Sequence, residues 1–170
     1  MKLFLTSSPI GIYRSEEPLD YEGFNPANGL VEELKKYWME DARCLLISAF
    51  PDDYEINDRM RGDFEGILAD SGLSCSCMDL CDSRNGKEKA DALHSYDFII
   101  LGGGHVPTEN EFFTKINLAD RFRGYQGIVM GISAGCFFNG FDDSLIAQCR
   151  CGATNAAILP LHCRLHSVFQ

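Results

Sequence analysis

The sequence predicts an α/β fold built on a mostly parallel sheet, and three observations carry that reading. Five short apolar runs recur along the chain, and segments of helical periodicity or polar composition separate them. The runs are nearly continuous rather than alternating, as expected of strands covered on both faces in a layered α/β/α sandwich. Two of them end directly in glycine, at Gly102-Gly103-Gly104 and at Gly131. In a parallel sheet the loops leaving neighbouring strands meet at the carboxyl edge, so this is where a ligand is expected.

The elements follow in order. Lys2 to Thr6 reads as the first strand. A polar stretch with Pro18, Pro26 and the turn Asn28-Gly29 leads to a helix near Leu30 to Met39. Arg43 to Phe50 is the second strand. Ile56, Met60, Phe64, Ile67 and Leu68 then fall at helical spacing, which makes an amphipathic helix covering the sheet. Leu73 to Leu80 fits a third strand, Lys87 to His94 a short helix, and Tyr96 to Leu101 a fourth strand. Thr108-Glu109-Asn110-Glu111 has the form of a capping box, opening a helix that carries Phe112, Phe113 and Ile116. Gly127 to Ile132 is the fifth strand, and a helix is expected from Ala134 onward. Residues 1–170 read as one domain, with no repeat or linker.

Composition agrees. The chain has 170 residues, 45% hydrophobic and 24% charged, an ordinary globular balance at a common domain size. A net charge of -10 argues against nucleic acid and anionic membranes as partners. The apolar run after Met1 is too short for a signal peptide and no stretch reaches transmembrane length, so a cytoplasmic location is expected. The eight cysteines are then read as thiols. Cys75-x-Cys77 with Cys81, and Cys149-x-Cys151, lack the spacing of a zinc ribbon, so neither a metal nor another cofactor is expected.

Gly131-Ile132-Ser133-Ala134-Gly135 places a serine between two glycines directly after the fifth strand. A nucleophile presented at a sharp strand-to-helix turn sits in a strained backbone conformation, and side chains two positions to either side would collide where strand meets helix. The same five residues also describe a tight connection with a helix-capping serine. Amides of Gly103 or Gly104, with that of Ala134, could face the oxygen of an acyl intermediate on Ser133. A flexible loop or phosphate cradle is the other reading of the glycines, although no phosphate-loop pattern is completed after Gly104.

In this order and spacing, the segment from Leu3 to Pro9 (LFLTSSP), the segment from Leu101 to Pro107 (LGGGHVP) and the segment from Gly131 to Gly135 resemble the dipeptidase E family of serine peptidases. The resemblance covers Met1 to about Gly135, roughly four-fifths of the chain. It implies the class I glutamine-amidotransferase-like (flavodoxin-like) variant of the α/β/α sandwich and hydrolysis of dipeptides or small peptides through an acyl-enzyme on Ser133. It also implies a base after a Leu-Pro-Leu stretch, which His166 matches best and His162 second, and an acid between serine and base. Asp142 and Asp143 are the carboxylates in that interval. His105 falls in the glycine loop, His94 is a surface residue, and Cys136 lies one turn beyond the serine without occupying the elbow.

After Gly135 the composition changes. Residues 1–135 hold 23 acidic and 13 basic side chains, whereas residues 136–170 hold two Asp, two Arg, no Glu or Lys and four of the eight cysteines. The family continues beyond this length, so residues 136–170 are read either as a short native end or as out-of-frame sequence. In the second case uncovered apolar surface would favour self-association into a homo-oligomer. The competing functional reading is a non-catalytic amidotransferase-like domain, a pseudoenzyme or binding module that keeps the elbow without its triad.

Overall fold

A computed structural model describes residues 1–10, 23–26 and 29–138. Five strands form one sheet in which every pairing is parallel: β1 (Lys2–Thr6), β2 (Ala42–Ile47), β3 (Cys75–Cys81), β4 (Phe98–Leu101) and β5 (Ile128–Ile132), in the order β1-β5-β4-β2-β3. The helices are α1 (Leu30–Lys35), α2 (Tyr54–Asp70), α3 (Gly86–Asp91), α4 (Val106–Lys115) and α5 (Leu118–Arg121). The α/β class and the parallel sheet are therefore present, and no helix among the described residues is long and apolar enough to cross a membrane.

The continuous apolar runs are explained by two cores that share the strands residue by residue. Leu45, Ile47, Ile99, Leu101 and Val129 join Ala90, Leu93, Phe112, Phe113 and Leu118 in one cluster. The alternate residues Cys44, Leu46, Phe98, Ile100, Ile128 and Met130 join Val31, Leu34, Phe64, Ile67 and Leu68 in the other. Successive side chains of a strand point to opposite faces, so a strand feeding two cores must be apolar at every position. All four residues of β4 and all five of β5 are buried.

Several boundaries differ from the sequence expectation, each for a local reason. The helix expected to reach Met39 ends at Lys35, where Trp38 turns in to stack against Phe98 at 5.0 Å and donates its indole N–H to the Ser74 carbonyl. β2 stops at Ile47: the Ser48 amide still donates to the Cys81 carbonyl at 3.0 Å, but the chain then turns, with the Ser48 hydroxyl donating to Asn57 Oδ1 at 2.5 Å and accepting from the Phe50 amide at 2.8 Å. The capping box at Thr108 is not formed. α4 starts three residues earlier, with His105 rather than Thr108 as its N-cap and Pro107 in its first turn, where proline suits the helix. Thr108 Oγ1 instead meets His105 Nδ1 at 2.9 Å. Beyond β5, Ser133–Phe137 form a 3-10 turn rather than the opening of an α-helix. The short helix α5 was not anticipated. Pro18 and Asn28 of the expected loop lie outside the described residues.

The order of the strands fixes where the chain opens. β2 and β4 are neighbours, yet β2 leads through α2 to the outer strand β3, while β4 leads through α4 to β5 on the other side. Loops that leave adjacent strands in opposite directions part at the carboxyl edge and create a crevice there. Behind the β2–β3 half of that edge a polar network ties loop to helix. Asn57 donates to the Phe50 carbonyl at 2.9 Å and to Asp82 at 3.3 Å, and Arg84 grips both Asp82 and Asp58. Asn57, Ser48 and Asp82 are all buried. Asn57→Ala would leave buried acceptors and donors unpaired, at roughly 1–3 kcal/mol for each group so exposed. A loss of about 2–4 kcal/mol in urea unfolding is expected, on an unchanged m-value.

Candidate functional site

Ser133 stands at the carboxyl end of β5 with φ 50°, one of three non-glycine residues at positive φ among those described. An L-residue there is held against its own preference at a cost of order 1–3 kcal/mol, which only the surrounding packing can sustain. The packing is visible. A Cβ on Gly131 would lie 2.8 Å from the Gly135 carbonyl oxygen, and a Cβ on Gly135 would lie 2.4 Å from that of Leu101. Side chains at either position would collide with backbone. Within this turn Ala134 and Gly135 are buried while Ser133 is exposed, so the fold turns one hydroxyl outward from an otherwise closed turn.

The glycine loop after β4 borders the serine. A Cβ on Gly103 would sit 3.0 Å from the Ile132 carbonyl oxygen and 3.1 Å from the Ser133 Cβ. Gly104 is pressed instead against the second strand's loop, where a Cβ would approach Ala49 Cβ at 2.7 Å and the Phe50 ring at 2.9 Å. The Gly102 amide is spent on the Ile47 carbonyl at 3.0 Å, within the extension of the ladder. Of the three glycines, Gly103 is therefore the one whose backbone lies directly beside the serine. On the far side of β5, Thr6 pairs in register with Ile132 and its carbonyl accepts from the Cys136 thiol, which also points at the Gly131 carbonyl. Cys136 is thereby tied into the back of the turn and does not share the serine's exposure.

Of the four histidines, His94 and His105 are described. His94 sits at the opposite, amino edge and its Nε2 meets the Arg121 carbonyl. His105 is at the carboxyl edge, two residues beyond Gly103, exposed and held to Thr108. The expected base His166, its alternative His162 and the expected acids Asp142 and Asp143 lie outside the described residues. None of the five described cysteines is in a disulfide. No group of three or more His, Cys, Asp or Glu among the described residues is placed to hold a metal. No protein-family model matches the chain, and no curated protein matches it.

The structure adds one residue that the sequence reading passed over. Glu109 is 0% exposed, and neither carboxyl oxygen has a hydrogen-bond partner among the described residues. Burial pushes its carboxyl up to about 8. The sequence places it inside a capping box, but its spacing from Phe112 and Phe113 puts it on the apolar face of α4. That spacing was the available signal. Phe113 stacks edge-to-face on Phe138 at 5.2 Å, and α4 packs against the turn Ser133–Phe137. Glu109 lies one helical turn before Phe113, on the same face of α4. The Thr6 hydroxyl, also buried, is a second polar group without a partner among the described residues.

Two outcomes follow from these geometries. Ser133→Gly relieves the positive φ whereas Ser133→Ala keeps it, so the glycine variant should be more stable than the alanine one by about 1 kcal/mol in chemical denaturation. Glu109 should also leave a pH signature. Its carboxyl titrates near 4.5 in the unfolded chain and near 8 in the folded one. Across that interval the folded state keeps a proton that the unfolded state has released, so stability falls as pH rises from about 4.5 to about 8 and is level above. Glu109→Gln should abolish that slope in unfolding measured between pH 5 and 9.

Proposed function

We propose that this chain is a serine hydrolase of peptidase type, similar to the dipeptidase E family, acting on dipeptides or small peptides in the cytoplasm. The finer architecture that goes with this reading is the three-layer, class I glutamine-amidotransferase-like variant of the parallel α/β fold. A single observation carries the reading: an exposed serine, held at φ 50° between two glycines that tolerate no side chain, at the carboxyl end of a central strand. A capping serine has no need of that backbone. The capping position of the turn that follows belongs to Ile132, in extended conformation, and not to Ser133.

In the proposed reaction Ser133 Oγ attacks the peptide carbonyl carbon and a histidine takes its proton. The oxygen that becomes negative is held by the Ala134 amide and by that of Gly103, with Gly104 as the alternative donor. The same histidine then returns the proton to the leaving amine, and water releases the acyl group from the serine. The resemblance assigns the base to His166. His162 is the alternative, and both lie outside the described residues.

A fluorophosphonate probe tests the reading directly. Ser133 Oγ displaces fluoride from phosphorus only when a base accepts its proton, so an activated serine is labelled and the others are not. Labelling of the wild-type 170-residue chain at one site, lost in Ser133→Ala, is expected, with the adduct mapped by mass spectrometry. An unlabelled chain would favour the non-catalytic amidotransferase-like module instead, and labelling that survives Ser133→Ala would place the nucleophile elsewhere.

A further inference from the structure

We infer that His105 is a specificity-determining residue of this site: its imidazole Nε2 receives the free α-carboxylate of the substrate's last residue and thereby selects dipeptides. The inference rests on the serine-hydrolase reading and adds to it the group that reads the substrate's end.

The place of His105 carries the first part of the argument. It stands two residues beyond Gly103, whose backbone borders Ser133, and it caps α4, which packs against the turn Ser133–Phe137. The chain on either side of His105 is thus held to the serine's turn, and two residues of extended chain span at most about 7 Å. The imidazole is exposed, and its Nδ1 meets the Thr108 hydroxyl at 2.9 Å. With that hydroxyl donating to Nδ1, the ring proton resides on Nε2. Nε2 has no partner among the described residues, so a fixed ring presents one free donor at the carboxyl edge.

The substrate states what that donor is for. Hydrolysis at Ser133 puts the scissile carbonyl oxygen between the Gly103 and Ala134 amides. In a dipeptide the α-carboxylate follows that carbonyl by a single residue, about 3.5 Å of extended chain. Its receptor must then lie within a residue or two of the oxyanion donors, as His105 does. A cation could serve the same end, but among the described loops that leave the strands the one arginine or lysine is Arg84, after β3. β3 lies three strands from β5, roughly 14 Å away at about 4.8 Å per strand. Arg84 is also committed to Asp58 and Asp82. His105 therefore meets the carboxylate through a charge-assisted hydrogen bond, Nε2–H donating to oxygen. A C-terminal amide, or a further residue, offers a neutral group at that place and forfeits the charge.

The test compares, in the full chain, hydrolysis of a mixture of dipeptides with that of the matched C-terminal amides, read by mass spectrometry, with fluorophosphonate labelling of Ser133 as the control. The wild type should favour the free acids on the order of 10- to 100-fold in kcat/KM, as expected of one hydrogen bond to a charged group. His105→Ala should bring that ratio to about 1 through loss of activity on the acids, and His105→Arg, which restores a donor, should recover the preference. Equal hydrolysis of acids and amides by the wild type, or a preference that survives His105→Ala, overturns the inference and leaves the serine-hydrolase reading intact. Hydrolysis of neither by a wild-type chain whose serine is labelled overturns it too. Loss of labelling in a folded His105→Ala would make this histidine the base rather than the carboxylate's receptor, which also overturns the inference. Absence of labelling in the wild type removes the hydrolase reading and the inference with it.

Discussion

The turn after β5 is packed so closely against the end of β4 that backbone meets backbone, and the carboxyl edge of this molecule is organised by that contact. Gly135 brings its Cα against the Leu101 and Gly102 carbonyls, and Gly131 faces Gly135 across the turn. With no side chains to hold them apart, β5 can end abruptly and the chain can reverse within five residues. Ser133, at the apex, has no choice of dihedral. The same closeness brings Gly103 beside the serine. A bulkier residue at 131 or 135 would push the apex and the loop apart together, so Ser133 and the Gly103 backbone are positioned by one constraint rather than two.

The two halves of the edge are stabilised in contrasting ways. Behind β2 and β3 the polar groups are satisfied: Ser48, Asn57, Asp82 and Arg84 form a closed set of donors and acceptors. Behind β1, β5 and β4 they are not, since the Thr6 hydroxyl and the Glu109 carboxyl are both buried without partners among the described residues. One half is built to be rigid. The other holds polar capacity in reserve, as expected of a surface that works on a ligand, and pays for it in stability.

Much of the fold was legible because two periodicities dominate the chain. Strand runs such as Phe98–Leu101 and Ile128–Ile132 are apolar at every position since each feeds two cores, and α2 shows its apolar face plainly in Phe64, Ile67 and Leu68. β1 was found over its full length. Errors came where a side chain overrode local pattern. Trp38 reaching for Phe98 shortened α1, and a turn in which the Phe50 amide bonds back to the Ser48 hydroxyl follows β2. At α4 the box of Thr108 to Glu111 had the right letters in the wrong frame, because the helix already begins at Val106, with His105 as its cap. That misreading hid Glu109. Its distance from Phe112 and Phe113 along the helix places Glu109 on the apolar face. The glycines of the elbow were legible for a simpler reason: only glycine fits where two carbonyls approach within the radius of a methyl group.

The pairing of β1 with β5 carries a consequence for how the chain acquires its structure. Lys2 lies in register with Ile128, 126 residues further along, and Thr6 with Ile132. The first strand to leave the ribosome must therefore wait for the last described strand before it has a neighbour in the sheet. Closing so long a loop costs little more free energy than closing one half its length, but it is slow, and meanwhile an unpaired apolar strand is left open to association. Because Thr6 backs the turn through Cys136, the serine's strained apex is completed only when the two ends of the described chain meet. Assembly of the elbow is thus a late event in folding, and the amino terminus acts as its clasp.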